Sequence, residues 1–291
     1  MIFGQVPTPE SIDFFLPADN IETKRVLAKH KSNDNLKVYI GCAKWNKTDL
    51  KNFYPKGTKD ELTYYSTQFN SIELNATFYN APTREQALVW KQKTPHDFKF
   101  FPKIPNTISH YKRLEGVKTL TEEFCVNISA MEEKLGMVFL QLHDNFGPKN
   151  YEKLERFLID FPKEVPLAVE VRNKDWFSNE AMLQKWALLL ETTQKTNVIV
   201  DTVGRRDMLH MRLTSPFAFV RFVGANFQGD YKRLDQWVER IEQWKEQGLR
   251  ELYFFVHQNV ELSSPVFASY FIEKLNKKLG MDIKKPFLPL L

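Results

Sequence analysis

The sequence predicts an α/β protein, a (β/α)8 TIM barrel in a single domain with an N-terminal extension. Short apolar segments typical of buried strands alternate with longer segments of helical periodicity, and this alternation repeats eight times after residue 37. The chain has 291 residues, and such a barrel commonly takes about 250 residues. We therefore assign residues 37–291 to the barrel and the proline-interrupted residues 1–36 to an arm packed on it.

The predicted strands and helices follow from the period of the apolar residues. Thr83 with Gln86 three residues later is the pattern of a capping box, which predicts a helix beginning near residue 83. The segment 231–247 carries apolar residues at helical spacing, which indicates a helix face packed on the sheet. The predicted strands are 38–43, 71–78, 98–103, 136–142, 167–172, 197–201, 217–223 and 252–258, and the predicted helices are 21–31, 59–68, 83–93, 120–134, 151–160, 179–191, 231–247 and 265–279.

The second predicted strand, 71–78, has the clearest alternation in the chain. Its apolar residues share one side, and Glu73, Asn75 and Thr77 share the other. In a barrel covered by helices, the polar side would point into the barrel mouth. A buried carboxylate is costly unless it is paired. Glu73 is therefore expected to have either a partner or a catalytic role.

Polar side chains recur at the C-terminal ends of the other predicted strands, where active sites of such barrels lie. We expect carboxylates and a lysine to act in catalysis, and polar or aromatic groups to bind the substrate. If Glu170 belongs to such a site, Glu170→Gln should keep the melting temperature unchanged or slightly raise it. The expected catalytic residues are Glu73, Lys103, Glu170 and Asp201, and the expected binding residues are Trp45, Asn75, Gln141, Arg172, Trp176, Arg221 and His257.

These residues favour an enzyme that acts on an anionic, phosphate-bearing or carbohydrate-like substrate. Arg172, Arg221 and Lys103 would hold negative charge, and Glu73 with Glu170 would form an acid/base pair. The pattern does not choose between a hydrolase and an isomerase. It is also compatible with a purely structural plug of ion pairs, and hence with a non-catalytic scaffold.

Two further alternatives stay open. A divalent metal is one, because Glu73, Glu170, Asp201 and His257 are suitable ligands, as in metal-dependent phosphodiesterase and endonuclease barrels. The roles of His143 and His257 depend on that choice. Nucleic-acid binding is the other alternative, favoured by the lysines at 44, 47, 51 and 56 and by tryptophans able to stack on bases.

The amino-acid composition indicates the cellular environment of the protein but not any reaction that it catalyses. The 41 basic and 36 acidic residues give a net charge of +5, which suits an anionic ligand without requiring nucleic acid. Cys42 and Cys125 fit neither a disulfide framework nor a metal-ligand spacing. Apolar runs are shorter than a membrane span, and the N-terminus lacks the pattern of a secretory signal. We expect a cytoplasmic protein without a membrane partner.

The chain resembles the YecE-like family of (β/α)8 barrels, a domain of unknown function, from about residue 38 to residue 275. The resemblance implies a TIM barrel and a polar mouth that includes Glu73, Asn75, Lys103, Glu170, Arg172 and Asp201, but it implies no reaction. This sequence departs from the family pattern at Ala43-Lys44, His143-Asp144 and His257-Gln258-Asn259. The matching motifs are Ile40-Gly41 with Trp45, Phe53-Tyr54-Pro55, 69–79, Thr94-Pro95, Asp97-Phe98, Lys103 with Pro105 and His110, 135–142, 168–172 with Trp176-Phe177, Asp201, and Phe219-Val220-Arg221.

Overall fold

The computed structural model describes residues 6–31 and 34–288, and its strands form two separate parallel sheets. Six strands form one curled sheet in the order β1-β8-β7-β6-β5-β4, and β2 pairs with β3 alone. A strand occurs at every predicted position, but the prediction of a closed eight-stranded barrel is wrong. The strands are β1 Lys37–Cys42, β2 Ser71–Leu74, β3 Lys99–Pro102, β4 Val138–Gln141, β5 Leu167–Glu170, β6 Thr196–Thr202, β7 Phe217–Gly224 and β8 Glu251–Gln258.

Helices connect the strands, and local capping explains several of their boundaries. Asp60 and Thr83 accept hydrogen bonds from Thr63 N and Gln86 N, which fixes the first turns of two helices. The predicted helix at 120–134 is an α-helix followed by a tighter turn at 129–134. The α-helices of the described residues are α1 Ile21–Ala28, α2 Glu61–Gln68, α3 Ala76–Tyr79, α4 Arg84–Gln92, α5 Lys118–Ile128, α6 Tyr151–Asp160, α7 Glu180–Thr192, α8 Gly229–Gln247 and α9 Ser264–Leu279.

The barrel does not close because side chains replace the backbone ladder between β1 and β2. The amide group of Asn70 accepts from Ile40 N at 2.9 Å and donates to Val38 O at 2.8 Å. The Tyr65 hydroxyl accepts from Cys42 N at 2.7 Å. These side chains satisfy backbone groups of β1 that a neighbouring strand would otherwise bond. The six-stranded sheet therefore ends at β1.

The other end of the large sheet is joined to β3 by isolated bridges. Phe100 pairs with Leu135 and Lys103 with Phe139, without a continuous ladder between β3 and β4. Both β2 and β3 have four residues, so little backbone is available for such a ladder. The two sheets nevertheless share a core, because the Phe101 ring of β3 lies 4.8 Å from that of Tyr253 and 4.9 Å from that of Phe255.

The segment before β1 packs on α8 over part of its length. The Asp19 carboxylate accepts from Arg240 at 2.5 Å and from the Trp244 indole at 2.9 Å. The end of α8 also lies close to this segment: a Cβ added at Gly248, whose φ is +122°, would come within 2.4 Å of Leu27 O. Glycine is therefore required there by conformation and by space. Residues 1–5 and 32–33 of the expected arm lie outside the described residues.

Cys42 and Cys125 are buried thiols without a disulfide. Burial raises the pKa of the Cys42 thiol well above its ordinary value, as expected for an inert core cysteine. Within residues 6–31 and 34–288, helices long and apolar enough to span a membrane are absent.

Candidate functional site

The inward-facing side chains of the strands form an aromatic layer with a polar layer above it. Phe101, Phe139, Phe219, Tyr253 and Phe255 belong to one buried cluster between the two sheets. Further along the same strands, toward their C-terminal ends, polar residues occupy the inward positions. We call these residues the polar cluster: Glu73, Lys103, Gln141, Glu170, Arg221 and His257.

Arg221 of β7 connects the carboxylates of the polar cluster. It donates to both oxygens of Glu73, from Nε at 2.9 Å and from Nη2 at 2.8 Å. Its Nη1 donates to Glu170 Oε2 at 2.7 Å. Glu73 and Glu170 are both fully buried. A guanidinium presents donors in a rigid plane, so this arrangement fixes the positions of both carboxylates.

The surrounding charges keep both carboxylates ionised. Burial acts to raise the pKa of Glu170, but Arg221 and Arg172 outweigh it and lower that pKa to about 2. Burial acts in the same direction on Glu73, whose pKa is nevertheless held well below its ordinary value by Arg221 and His257. A general acid needs a proton to give at the working pH. The expected acid/base pair of Glu73 and Glu170 is therefore poorly matched to these surroundings.

Lys103 differs from the other cations of the polar cluster because its hydrogen-bond partner is neutral. Its side chain is 7% exposed, and Nζ donates to Gln141 Oε1 at 2.8 Å. The Gln141 amide is oriented in turn by Glu170, which accepts from Gln141 Nε2 at 2.9 Å. Burial and the nearby Arg221 charge lower the pKa of Lys103 to about 7. Lys103 can therefore change protonation state near neutral pH.

His257 of β8 lies between two carboxylates at the edge of the polar cluster. Its Nε2 lies 2.9 Å from Glu73 Oε2, and its Nδ1 lies 3.7 Å from Glu261 Oε1. Burial acts to lower the pKa of His257, but Glu73 and Glu261 raise it above the ordinary value. The ring is therefore held as part of an ion-pair network.

The predicted strand 71–78 ends at Leu74, and the chain then turns into the short helix α3. The Thr77 hydroxyl contacts two carbonyl oxygens, Leu74 O at 2.9 Å and Lys103 O at 2.7 Å. This turn places the Phe78 ring with its centroid 4.1 Å from Lys103 Nζ. Alternation had predicted Phe78 on the helix-facing side, so the sequence did not indicate this contact.

His110 lies beside Phe78 and His143 beside His110, and neither histidine was among the expected catalytic or binding residues. The His110 ring packs edge-on against Phe78 at 4.9 Å and against His143 at 5.1 Å. Burial and the neighbouring His143 and Lys103 lower the pKa of His110 to about 4. The sequence feature that could have indicated His110 is the family motif in which it follows Lys103 by seven residues.

A surface pocket of about 250 Å³ adjoins the polar cluster on the β1 side. Trp45 is half-buried there and packs edge-on against Trp90 at 6.1 Å. Asn75 donates to Glu73 Oε1 at 2.7 Å, which ties the pocket wall to the polar cluster. The lining residues are Ala43, Lys44, Trp45, Asn46, Glu73, Leu74, Asn75, Ala76 and Tyr79.

Two predicted site residues lie elsewhere. Asp201 faces the helices, where it accepts from Arg233 at 2.7 Å and from the Trp237 indole at 2.8 Å, and it also contacts Arg206. Trp176 is fully buried in a core cluster on the outer side of the sheet, and its indole donates to Phe146 O at 2.8 Å. Neither side chain joins the polar cluster.

Arg172 and Thr202 extend the inward-facing polar surface. Arg172 Nε donates to Glu170 Oε1 at 2.6 Å. Thr202 is fully buried on the same side of β6 as Val198 and Val200, and its hydroxyl has no hydrogen-bond partner among the described residues.

The donor arrangement does not fit a metal centre. Among the described residues there is no group of three or more histidine, cysteine, aspartate or glutamate side chains placed to hold a metal ion. Asp201 is turned away from Glu73 and Glu170, and both of these carboxylates bind arginine. We therefore assign no step to a metal.

Comparisons with known proteins agree with the sequence resemblance. A family model described as "Protein of unknown function DUF72" matches residues 39–289. The UPF0759 protein YecE of Escherichia coli (strain K12) is 29% identical over 274 residues, covering 87% of this chain and 97% of that protein. The UPF0759 protein YunF of Bacillus subtilis (strain 168) is 29% identical over 243 residues, covering 77% of this chain and 80% of that protein.

Solved structures of the same family share the fold. A DUF72 family protein from Thermotoga maritima MSB8 has a TM-score of 0.65 and 26% identity, covering 84% of this chain and 100% of that chain. A DUF72 family protein from Enterococcus faecalis V583 has a TM-score of 0.66 and 18% identity, covering 87% of this chain and 99% of that chain.

Proposed function

The chain belongs to the DUF72 family, whose description assigns no activity, and we propose from its site that it is an enzyme acting on a small anionic substrate at the polar cluster. Lys103 is the proton-transfer group and the cation that attracts the substrate. Glu73, Glu170 and Arg221 hold the site in place. The observation that carries the proposal is the buried Lys103 amine, which bonds a neutral amide and has a pKa of about 7.

Charge balance supports an anionic substrate. Glu73 and Glu170 contribute two negative charges, and Arg172 and Arg221 contribute two positive charges, so these four groups cancel. A protonated His257 is balanced in turn by Glu261, 3.7 Å away. A protonated Lys103 then leaves one positive charge in a buried site. An anion that approaches this charge in a poorly solvated site gains more than it would in water.

A carbohydrate-like substrate is a second candidate, favoured by the pocket beside Glu73. Trp45 and the exposed Tyr79 border it, and Asn75 supplies an amide. Aromatic surface with a few polar groups suits a sugar-sized ligand. A sugar phosphate would satisfy both observations. Nucleic acid gains less support, because Lys44 pairs with Asp49 at 3.3 Å and Lys47 donates to Thr58 O at 2.8 Å.

Thermal melts with inorganic phosphate, glucose and glucose 6-phosphate would test this proposal. We expect the anions to raise the melting temperature of the wild type and of Lys134→Met, but not of Lys103→Met. Lys134 is a suitable control because it is also buried, and its Nζ donates to Lys91 O and Thr94 O at 2.7 and 2.6 Å. An equal response of all three proteins, or a response to none of the probes, would refute the anionic site.

The pH dependence gives a second readout. Anion binding should weaken as pH rises through about 7, where Lys103 loses its charge. The stability of the ligand-free protein should change with pH in the opposite direction. An unfolded lysine has a pKa of about 10.4, so between the folded and the unfolded pKa the unfolded state binds more protons than the folded state. The free energy of unfolding should therefore rise with pH from about 7 toward 10. Lys103→Met should remove this rise in the free energy of unfolding. The rise amounts to at most about 1.4 kcal/mol for each unit by which the folded and unfolded pKa values differ.

A further inference from the structure

The Lys103 amine has the surroundings of a nucleophile as well as those of an anion-binding cation. Its Nζ lies 4.1 Å from the Phe78 ring centroid and 5.9 Å from that of Phe139. Gln141 accepts one of its hydrogen bonds and has its own orientation fixed by Glu170. An amine that is desolvated and lies beside other cations is neutral at lower pH and so attacks carbonyl carbons more readily.

Two other buried lysines of the described residues, Lys134 and Lys195, lack this combination. Lys134 is 6% exposed, but its Nζ has three oxygen acceptors, Lys91 O, Thr94 O and Thr94 Oγ1, at 2.7, 2.6 and 3.2 Å. These three acceptors match the three N–H donors of a lysine ammonium group. Lys195 is 5% exposed and lies over the Phe161 ring at 5.1 Å, at the start of β6 and away from the polar cluster.

We propose that Lys103 forms an imine with the carbonyl carbon of a small 2-oxo acid or an aldehyde carrying an anionic group. This inference rests on the proposed function, since it uses the same site and the same preference for anions. It adds a covalent step and a substrate class that proton transfer by Lys103 does not require.

The step balances without a cofactor. The lone pair of the neutral Nζ forms a bond to the carbonyl carbon, and the C=O electron pair moves to the oxygen, which takes up a proton as the nitrogen releases the first of its two. The resulting carbinolamine loses its hydroxyl group as water when nitrogen releases its proton and the C=N bond forms. The net change is amine plus carbonyl to imine plus water. A protonated imine then withdraws electrons from the adjacent carbon, as Schiff-base lysines do.

The substrate class follows from the charges around Nζ. Arg221 and Arg172 both act to lower the pKa of Lys103, whereas Glu170 and Glu73 act to raise it. When Lys103 is neutral, the carboxylate of a 2-oxo acid still meets Arg172, whose side chain is 16% exposed beside Glu170. The buried Thr202 hydroxyl is a further donor on the inward side of β6. A neutral ketone would lack the charge-assisted interaction with Arg172.

Reductive trapping on the full-length protein would test the inference. The protein is incubated with pyruvate or glyoxylate and cyanoborohydride, which adds hydride to an imine and leaves a stable secondary amine. Intact mass and peptide mapping then locate the adduct. We expect Lys103 to be modified at least tenfold faster than Lys195 or exposed lysines at pH 7.5, with acetone reacting far less.

Variants separate this chemistry from folding and from simple anion binding. Lys103→Arg keeps a cation that cannot form an imine, so it should lose the specific adduct, whereas Lys134→Met should keep it; circular dichroism verifies that both fold. If mapping of the wild type shows no adduct at Lys103, or none faster than at exposed lysines, the imine is refuted. An anion-dependent rise in melting temperature would in that case leave the proposed function standing, and its absence would refute both.

Discussion

Arg221 joins carboxylates from two strands that are not neighbours in either sheet. Glu73 belongs to β2 and Glu170 to β5, and both bond the guanidinium of β7 at 2.7 to 2.9 Å. Burial acts to lower the pKa of Arg221, but Glu170 and Glu73 raise it well above its ordinary value. Each charge in this set depends on the others, because an unpaired ion at 0% exposure would be strongly destabilising.

The first prediction concerns Glu170. Its replacement by Gln removes a charge that two guanidiniums contact, Arg172 at 2.6 Å and Arg221 at 2.7 Å. We expect Glu170→Gln to lower the free energy of unfolding by about 3–5 kcal/mol, the usual effect of breaking a buried pair. This reverses the sequence-based expectation of an unchanged or higher melting temperature.

Denaturant titration would measure that loss, with Glu239→Gln as the control. Glu239 pairs with Lys278 at 2.8 Å on the surface, where its side chain is 59% exposed, and exposed pairs contribute about 0–1 kcal/mol. If Glu170→Gln were as stable as the control variant, the carboxylate would not be needed to hold the polar cluster together.

Alternation of polar and apolar residues identified most of the polar cluster, but only where it was unambiguous. In β2 and β5 each carboxylate has apolar neighbours on both sides, so the inward face can be deduced. In β6 the run Val198-Ile199-Val200 is apolar on both faces, and period two does not tell which side Asp201 takes. Trp176 illustrates another limit, because a tryptophan beyond a strand end can equally cover the core.

At the scale of elements, the site depends on how β2 ends. The sequence predicts a strand up to Phe78, whereas the structure turns into α3 at Ala76. The turn is held by side chain to backbone bonds that strand propensity does not report, chiefly from Thr77. Without it, the Phe78 ring would not lie over Lys103.

The second prediction is that Thr77→Val destabilises this turn. Valine has nearly the same shape but lacks the hydroxyl that contacts Leu74 O and Lys103 O at 2.9 and 2.7 Å. Thr77 is fully buried. Leu74 O keeps its bond from Lys103 N at 3.2 Å, so we expect a loss of about 1–3 kcal/mol, mainly from the unsatisfied Lys103 carbonyl. Thr67→Val is the control, since the Thr67 hydroxyl is exposed and water can replace its bonds to Tyr64 O at 2.7 Å and from Gln68 Nε2 at 2.9 Å. Equal unfolding free energies for the two variants would contradict this account.

At the scale of the whole molecule, the sequence predicted the strands in their order but not their closure. Alternating strands and helices give parallel strands with covered faces, and β1 with β8 pairs over six residues as a barrel would require. Closure further requires a continuous ladder from β1 to β2 and from β3 to β4. That property depends on single groups such as the Asn70 amide, which takes the place of a strand backbone. A residue of this kind leaves no periodic signal.

The last prediction tests whether Asn70 holds the edge of β1 against the β2–β3 sheet. Asn70→Ala leaves Ile40 N and Val38 O without partners, so the Ile40 amide should exchange with solvent deuterium at least tenfold faster. Amides between β6, β7 and β8 should keep their protection, because their ladders are continuous. Asn276→Ala is the matched control: Asn276 makes the same two bonds, to Ile283 N and O, after α9, and its loss should leave Ile40 protected. Slow exchange at Ile40 in Asn70→Ala would show that the edge of β1 does not depend on this amide. Equal loss of protection throughout the large sheet would show that Asn70 stabilises the whole sheet rather than this edge.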